Sequence, residues 1–461
     1  MNETAATASA DDHSLSRSLR PRHLSMISIG GIIGAGLFVG SSSAIASVGP
    51  AVVLSYAICG GLVLLIMRML GEMAVAMPQV RSFTEFARVG LGHWAGFASG
   101  WLYWYFWVVV IPVEAIAGAN ILHDWFPAVP TLVIGVGLMA IMTGVNLMSA
   151  RSYGEFEFWF ASIKVAAIIV FIAVAAAYVF GVFGTGSTGL ANLTAHQGFM
   201  PHRFSSVLAA VTTVFFALTG AEIVTVAAAE SLEPSQAVAR MTSSIVWRVL
   251  MFYVGSIFLI VCVVPWDTIV SGKSPFVAAL KAMRIPGADE MLKVIILTAV
   301  LSCLNSAFYV ASRVLFVLAE HGDAPRWLVK TNARHVPARS VLLGCAVGIA
   351  GLIARELWEK TVFAFLQNTT GAVIVFVYAV TCICQIRLRR QREAAGTPAP
   401  SLTMWLFPWL SYLTIAVLGA VLVAMVMSEE HRAEFWASLL SVGTALVAYF
   451  LFRHGRYAAP P

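Results

Sequence analysis

The stretch Ile29-Gly30-Gly31-Ile32-Ile33-Gly34-Ala35-Gly36-Leu37-Phe38 places four glycines within seven residues, near the middle of an apolar segment spanning about 24–45. Glycine costs a helix roughly 1 kcal/mol relative to alanine, so this cluster weakens the hydrogen-bonded ladder at that point. The segment is otherwise long enough to cross a hydrocarbon core, which takes roughly 20 helical residues. A second apolar segment, about 204–230, is interrupted at Phe215-Phe216-Ala217-Leu218-Thr219-Gly220-Ala221-Glu222, where a glycine precedes a carboxylate. Two interrupted spans at corresponding positions, five spans apart, are the pattern of a transporter built from inverted repeats. For the first interruption alone, close helix packing through small residues is the alternative.

The rest of the chain supplies the setting. Of its 461 residues, 59% are hydrophobic and 11% charged, with mean hydropathy +0.84. A soluble domain carries about 25% charged residues. The composition therefore specifies an all-α polytopic membrane protein and excludes a disordered chain or a disulfide scaffold. The six cysteines lie in or at the edges of apolar runs and read as small packing residues. Twelve candidate spans follow: about 24–45, 50–76, 94–122, 130–149, 157–182, 204–230, 243–266, 288–319, 338–355, 361–385, 404–427 and 433–453. The first residues contain no apolar core of a cleavable signal, so the first span is expected to start insertion.

With the N-terminus inside, 20 of the 29 Lys and Arg fall in inner segments, eight in outer segments, and Lys164 alone within the membrane. The positive-inside rule then puts both termini in the cytoplasm. It also accounts for the net charge of +6 without a nucleic-acid partner. The expected division is a cytoplasmic tail (1–23), a ten-helix core (24–385, halves about 24–182 and 204–385), helices eleven and twelve (386–453), and a C-terminal tail (454–461). The 8–9 loop around Trp327, Leu328 and Val329 is either an ordered element at the membrane surface or a solvated connector.

Few polar groups remain inside the spans. Unwinding at Gly34, Ala35 and Gly36 frees backbone N–H groups at the positive end of a half-helix, which suits a carboxylate. Carbonyls freed around Phe216, Ala217 and Thr219 lie at a negative end, which suits an ammonium. Phe215 or Phe216 either closes over a ligand or packs against helices or lipid. Glu222 is either a proton acceptor or a holder of free backbone N–H groups. Lys164 lies too deep in span five to snorkel, and is either a functional ionisable group or a structural charge paired with an acid such as Glu222. Tyr103 and Trp107, four apart, share one face of span three, where packing is the alternative to lining a pocket. Glu114 follows Pro112 toward the outer side, where a water-filled vestibule would suit it; it either attracts a substrate amine or pairs with a neighbour. Arg68 and Glu72 are spaced as a local ion pair, and Arg313 with Glu320 and Asp323 are either a tie between loop and inner gate or a solvated face. There is no phosphate-loop pattern, no metal-ligand spacing among the histidines and no cofactor motif. The pattern does not specify an oligomeric state.

Several stretches together resemble the bacterial amino acid permeases of the amino acid–polyamine–organocation superfamily. They are RHLSMISIGGIIGAGLFVG (22–40), MRMLGEM (67–73), GWLYWYFWVVVIPVE (100–114), YGEFEFW (153–159), GAEIVTVAAAES (220–231) and SCLNSAFYVASRVLFVLAEHGDA (302–324). Within that group the gamma-aminobutyrate permeases are most similar. The resemblance implies a LeuT-like core of five plus five helices, with helices 1 and 6 discontinuous and two further helices outside it. It implies proton-driven import of a small amino acid across a bacterial inner membrane, with the substrate carboxylate at Gly34–Gly36 and Tyr103 and Trp107 lining the pocket. It implies that Lys164 stands where related carriers hold a sodium ion, near Ser302 and Asn305, and carries the coupled proton. Other neutral amino acids (proline, aromatic) or amino acid exchange are alternatives, and an amino acid-sensing receptor is the alternative of another class. A larger residue at Gly34 or Gly36 is expected to block transport while leaving expression intact.

Overall fold

The computed structural model describes residues 23–452 apart from 24–25, 28–29, 79, 81, 183–188, 229–249, 359–361 and 430. Residues 1–22 of the expected N-terminal tail, the expected C-terminal tail 454–461, and Arg81, Arg240, Arg248, Lys360 and Arg453 lie outside the described residues. Among the described residues every regular element is a helix. A π-helical segment at Gly36–Gly40 leads into α1 (Ser41–Val48), and Gly49 (φ +77°) with Pro50 turns the chain into α2 (Val52–Ala76). A short amphipathic α3 (Phe83–Leu91) precedes α4 (His93–Trp125), α5 (Thr131–Met148) and α6 (Ala150–Val179). The second interrupted span comprises α7 (Phe204–Ala209), α8 (Val211–Leu218) and α9 (Ile223–Ala228). Then come α10 (Leu250–Val263), α11 (Pro275–Ala282), α12 (Ala288–Glu320), α13 (Ala338–Leu357), α14 (Val362–Ala394), α15 (Trp409–Met427) and α16 (Arg432–Phe452).

Among the described residues, nine helical segments are long and apolar enough to cross a membrane, one of them running from the π-helical segment through α2. Two shorter apolar helices, Phe204–Leu218 and α10, accompany them. The protein is a multi-pass membrane protein. Helices α4, α12 and α14 form its centre: 78% of the most apolar window of α4 is buried, against 17% for α16 at the periphery. The outer helices present Trp159, Val170, Leu440 and Leu451, large apolar side chains that are exposed within the protein and suited to lipid. Ser149 caps α6 by accepting the Ser152 N–H at 3.1 Å, which fixes the start of the helix carrying Glu157 and Lys164.

One pairing expected from spacing does not form. Arg68 donates from Nε to the Thr403 carbonyl (2.8 Å) and stacks over Trp405, whereas Glu72 accepts from Gln385 (2.9 Å) and the Met404 N–H (2.7 Å). An i,i+4 ion pair is worth only about 0.2–0.5 kcal/mol, so tertiary partners displace it. Asp323 pairs with Arg88 and with His93 (3.1 Å). The 8–9 loop is thus tied to α3 and α4, and its ordered 3-10 turn, Arg326–Val329, buries Leu328 beside Leu315 and Ala319.

The same latch includes His321, just past the end of α12, whose Nε2 lies 3.1 Å from Glu85 of α3. The hydrogen bond that His321 donates to Glu85 holds the imidazole above its ordinary range, despite partial burial and the nearby Arg88. A raised folded-state value contributes stability that is fully present below the ordinary value of about 6.5 and lost as pH rises through the raised one. Thermal melts between about pH 5.5 and 8.5 are therefore expected to show wild-type Tm declining with pH, and Glu85→Gln showing a flatter profile. Parallel profiles would remove this pair from the pH dependence.

Candidate functional site

Residues 31–34 leave the helical ladder, and Leu37 and Phe38 both return N–H bonds to the Gly34 carbonyl, at 3.2 and 3.3 Å. The second break lies at 219–222: Thr219 is extended, and Gly220 takes φ +130°, a conformation that glycine tolerates and L side chains rarely adopt. The two breaks touch. A Cβ on Gly36 would lie 2.7 Å from the Ala217 Cα, and one on Gly220 2.9 Å from the Gly31 carbonyl oxygen. The Tyr253 hydroxyl of α10 lies between the Ile32 and Ala217 carbonyls, at 2.9 and 2.8 Å, and so binds both broken helices.

This crowding corrects the expectation for larger residues at Gly34 and Gly36. A Cβ on Gly34 would lie 2.6 Å from Glu114 Oε1 and 2.7 Å from the Cys303 side chain. Such substitutions strike packed neighbours and backbone, so they lower the yield of folded protein as well as any activity.

Glu114 does not line a water-filled vestibule. It is 1% exposed, and both of its carboxylate oxygens lie 3.0 Å from the Ala35 nitrogen, whose N–H they accept. The donor expected to serve a ligand carboxylate thus holds a carboxylate of the chain itself, as the positive end of a half-helix favours. Gly34, Ala35 and Gly36 are buried together with Phe216, which faces Phe106 at 6.1 Å between ring centroids. Tyr103 and Trp107 meet edge to face at 6.2 Å, and both are buried. The Trp107 indole N–H has no acceptor among the described residues. Phe215 is directed instead to Tyr378 of α14, at 5.8 Å. The Phe215 carbonyl accepts both the N–H and the hydroxyl of Thr219, at 2.8 and 2.7 Å.

Glu222 is fully buried within the second break. Its Oε1 accepts from Tyr103 at 3.1 Å, and its Oε2 accepts from Tyr378 at 3.0 Å and from the Gly220 N–H at 3.1 Å. Three donors converge on one carboxylate, the arrangement that satisfies a buried charge.

Lys164 reaches the first break from α6. Its Nζ donates to the Gly30 carbonyl, to the Ile33 carbonyl at 2.9 Å and to Ser302 Oγ of α12 at 2.9 Å. Its carboxylate neighbour is not Glu222 but Glu157, 3.8 Å away and equally buried. Ser302 in turn donates to Glu157 Oε1 at 2.6 Å. Asn305 does not join this group: its Oδ1 accepts from Asn146 of α5 at 2.7 Å. Sequence reasoning missed Glu157, Tyr253, Tyr378 and Cys303. The signal for Glu157 was present, because a residue seven before Lys164 shares its helix face. The other three come from distant elements and carry no local signal.

The family model for amino acid permeases matches residues 23–453. The gamma-aminobutyric acid permease of Bacillus subtilis is 44% identical over 441 residues, covering 95% of this chain and 94% of that protein. A probable GABA permease of Pseudomonas aeruginosa is 47% identical over 430 residues, covering 93% and 90%. Among solved structures, the manganese transporter of Eremococcus coleocola shares the fold, with TM-score 0.59, 13% identity and 96% of each chain covered. With a family match spanning both broken helices and every long apolar helix described above, the chain belongs to the amino acid permease family, a permease rather than an enzyme.

Proposed function

We propose that this permease is a secondary active transporter that imports gamma-aminobutyrate, or a similar small amino acid, by proton symport with alternating access. The observation that carries the proposal is the meeting of the two broken helices beside a buried ammonium: Lys164 holds the Gly30 and Ile33 carbonyls on one side of the unwound segment, and Ala35 offers its N–H nearby. Relatives named for gamma-aminobutyrate at 44% and 47% identity support the substrate class.

In this reading the frame is twelve spans, with a core of two inverted repeats (about 24–182 and 204–385) and both termini cytoplasmic. The substrate carboxylate takes the Ala35 N–H from Glu114, with the Trp107 indole N–H as a second donor. The ammonium goes to the carbonyl end of α8, around Phe216, Ala217 and Thr219. Phe216, packed between Gly36 and Phe106, closes the site. Lys164 gains and loses the coupled proton: protonated it binds the first break to α6 and α12, and neutral it releases that contact. Glu157 and Ser302 hold it in place.

Uptake of labelled gamma-aminobutyrate into proteoliposomes tests this directly. Accumulation is expected with an acidic exterior and not without a gradient. Accumulation independent of the gradient would replace symport with exchange or facilitated diffusion, and a panel of unlabelled amino acids identifies the preferred substrate. Glu222→Gln adds a second test. All three converging donors then lose a charged acceptor, and at least one faces the amide NH2 instead, at a cost of about 1.5–3 kcal/mol or more. Gradient-driven uptake and substrate exchange are expected to fall together, by about tenfold or more. Loss of gradient-driven uptake with intact exchange would instead make Glu222 the proton carrier.

A further inference from the structure

We propose that the groove between the C-terminal turns of α14 and the first turns of α15 is a binding site for an anionic glycerophospholipid. This inference rests on the membrane fold and not on the transport reading. The groove encloses about 500 Å³ and is lined by Ile383, Ile386, Arg387, Arg390, Tyr412 and Ile415, with Gln391 and Ala394 at its end.

Its chemistry is graded along one direction. On α14, Ile383 and Ile386 lie one turn before Arg387 and Arg390. On α15, which follows the loop at 395–408, Ile415 lies one turn beyond Tyr412. The isoleucines therefore meet at the deep end and the guanidinium groups at the shallow end. Trp405 and Trp409, 44% and 75% exposed beside the shallow end, mark the level at which indole rings accumulate at a membrane–water interface. Charge above and branched aliphatic side chains below match a phosphodiester headgroup with an acyl chain.

The arginines divide by use. Arg389 pairs with Glu393 at 2.9 Å and lies 3.6 Å from Glu72, and Arg392 donates to the Pro398 carbonyl at 2.7 Å. Arg387 and Arg390 have no ion-pair partner among the described residues, and Arg390 is steadied by the Tyr412 hydroxyl and ring. The two unpaired guanidinium groups are the two that line the groove. A juxtamembrane arginine contributes about a factor of five toward an anionic lipid, so the pair supplies roughly 25-fold preference over a zwitterionic one.

The test is native mass spectrometry of the full-length protein in detergent, titrated with dioleoylphosphatidylglycerol or dioleoylphosphatidylcholine. Wild type is expected to retain one phosphatidylglycerol more tightly than any phosphatidylcholine. The double variant Arg387→Ala/Arg390→Ala is expected to lose that adduct, with about 25-fold weaker retention. Arg392→Ala, in the same basic cluster but bonded to Pro398, is expected to keep it. Ile415→Trp fills the deep end without altering charge and is expected to lose it too, which keeps the test decisive if the double variant folds poorly. Equal retention of the two lipids, an adduct unchanged in both groove variants, or displacement of the lipid by millimolar inorganic phosphate would overturn the proposal.

Discussion

Lys164→Ala is expected to abolish accumulation of substrate under an imposed proton gradient. The side chain is fully buried, and its ammonium serves the Gly30 and Ile33 carbonyls, Ser302 and Glu157 together. Removing it strips two carbonyls of their donor and leaves Glu157 as a buried carboxylate without its cation. Breaking one side of a buried pair costs about 3–5 kcal/mol, so low yield alone would not reveal a role in transport. The double variant Lys164→Ala/Glu157→Gln removes both charges and is expected to regain much of the folded protein. It is not expected to regain gradient-driven uptake. If the double variant accumulates substrate in proportion to the gradient, the proton is carried elsewhere and Lys164 is a structural charge.

Gly220→Ala is expected to have an effect of similar size by a different route. At φ +130° an L side chain is strained, and the added Cβ would lie 2.9 Å from the Gly31 carbonyl oxygen and 3.1 Å from the Ile32 nitrogen. Backbone strain of this kind costs about 1–3 kcal/mol, and the collision is with the other broken helix rather than with a yielding side chain. Folded yield and thermal stability should both drop, and uptake per folded molecule should drop further because the two breaks are forced apart. Gly137 is the control: a Cβ there meets nothing within 4 Å, and Gly137→Ala should leave both measurements near wild type. A Gly220→Ala protein with wild-type stability and uptake would show that the breaks do not need their close approach.

The sequence carried the existence of the interruptions, because glycines depress helix stability wherever they stand; the first break, at 31–34, begins three residues before the unwinding expected at Gly34–Gly36, and the second lies at 219–222. It carried the depth of Lys164 as well. Partner choice was less legible. Glu222 pairs with Tyr103 and Tyr378, 119 and 156 residues away in the chain, and nothing near Glu222 specifies either. Asn305 accepts from Asn146 of α5 rather than from Lys164, a partner 159 residues away that nothing near Asn305 specifies. Arg68 and Glu72 had the right spacing for one another but stronger claims from Thr403, Gln385 and Met404. Local arithmetic locates polar groups within the membrane; long-range packing decides which ones meet.

The Glu114 carboxylate on the Ala35 N–H bears on affinity and selectivity. In the proposed cycle an arriving carboxylate does not gain a bare dipole; it exchanges with one already in place. Net affinity then reflects the difference between two similar anions, so a well-formed site binds only modestly and lets its cargo go. In that cycle an amine without a carboxylate has nothing to displace Glu114 from the Ala35 N–H, so it is not expected to occupy that position.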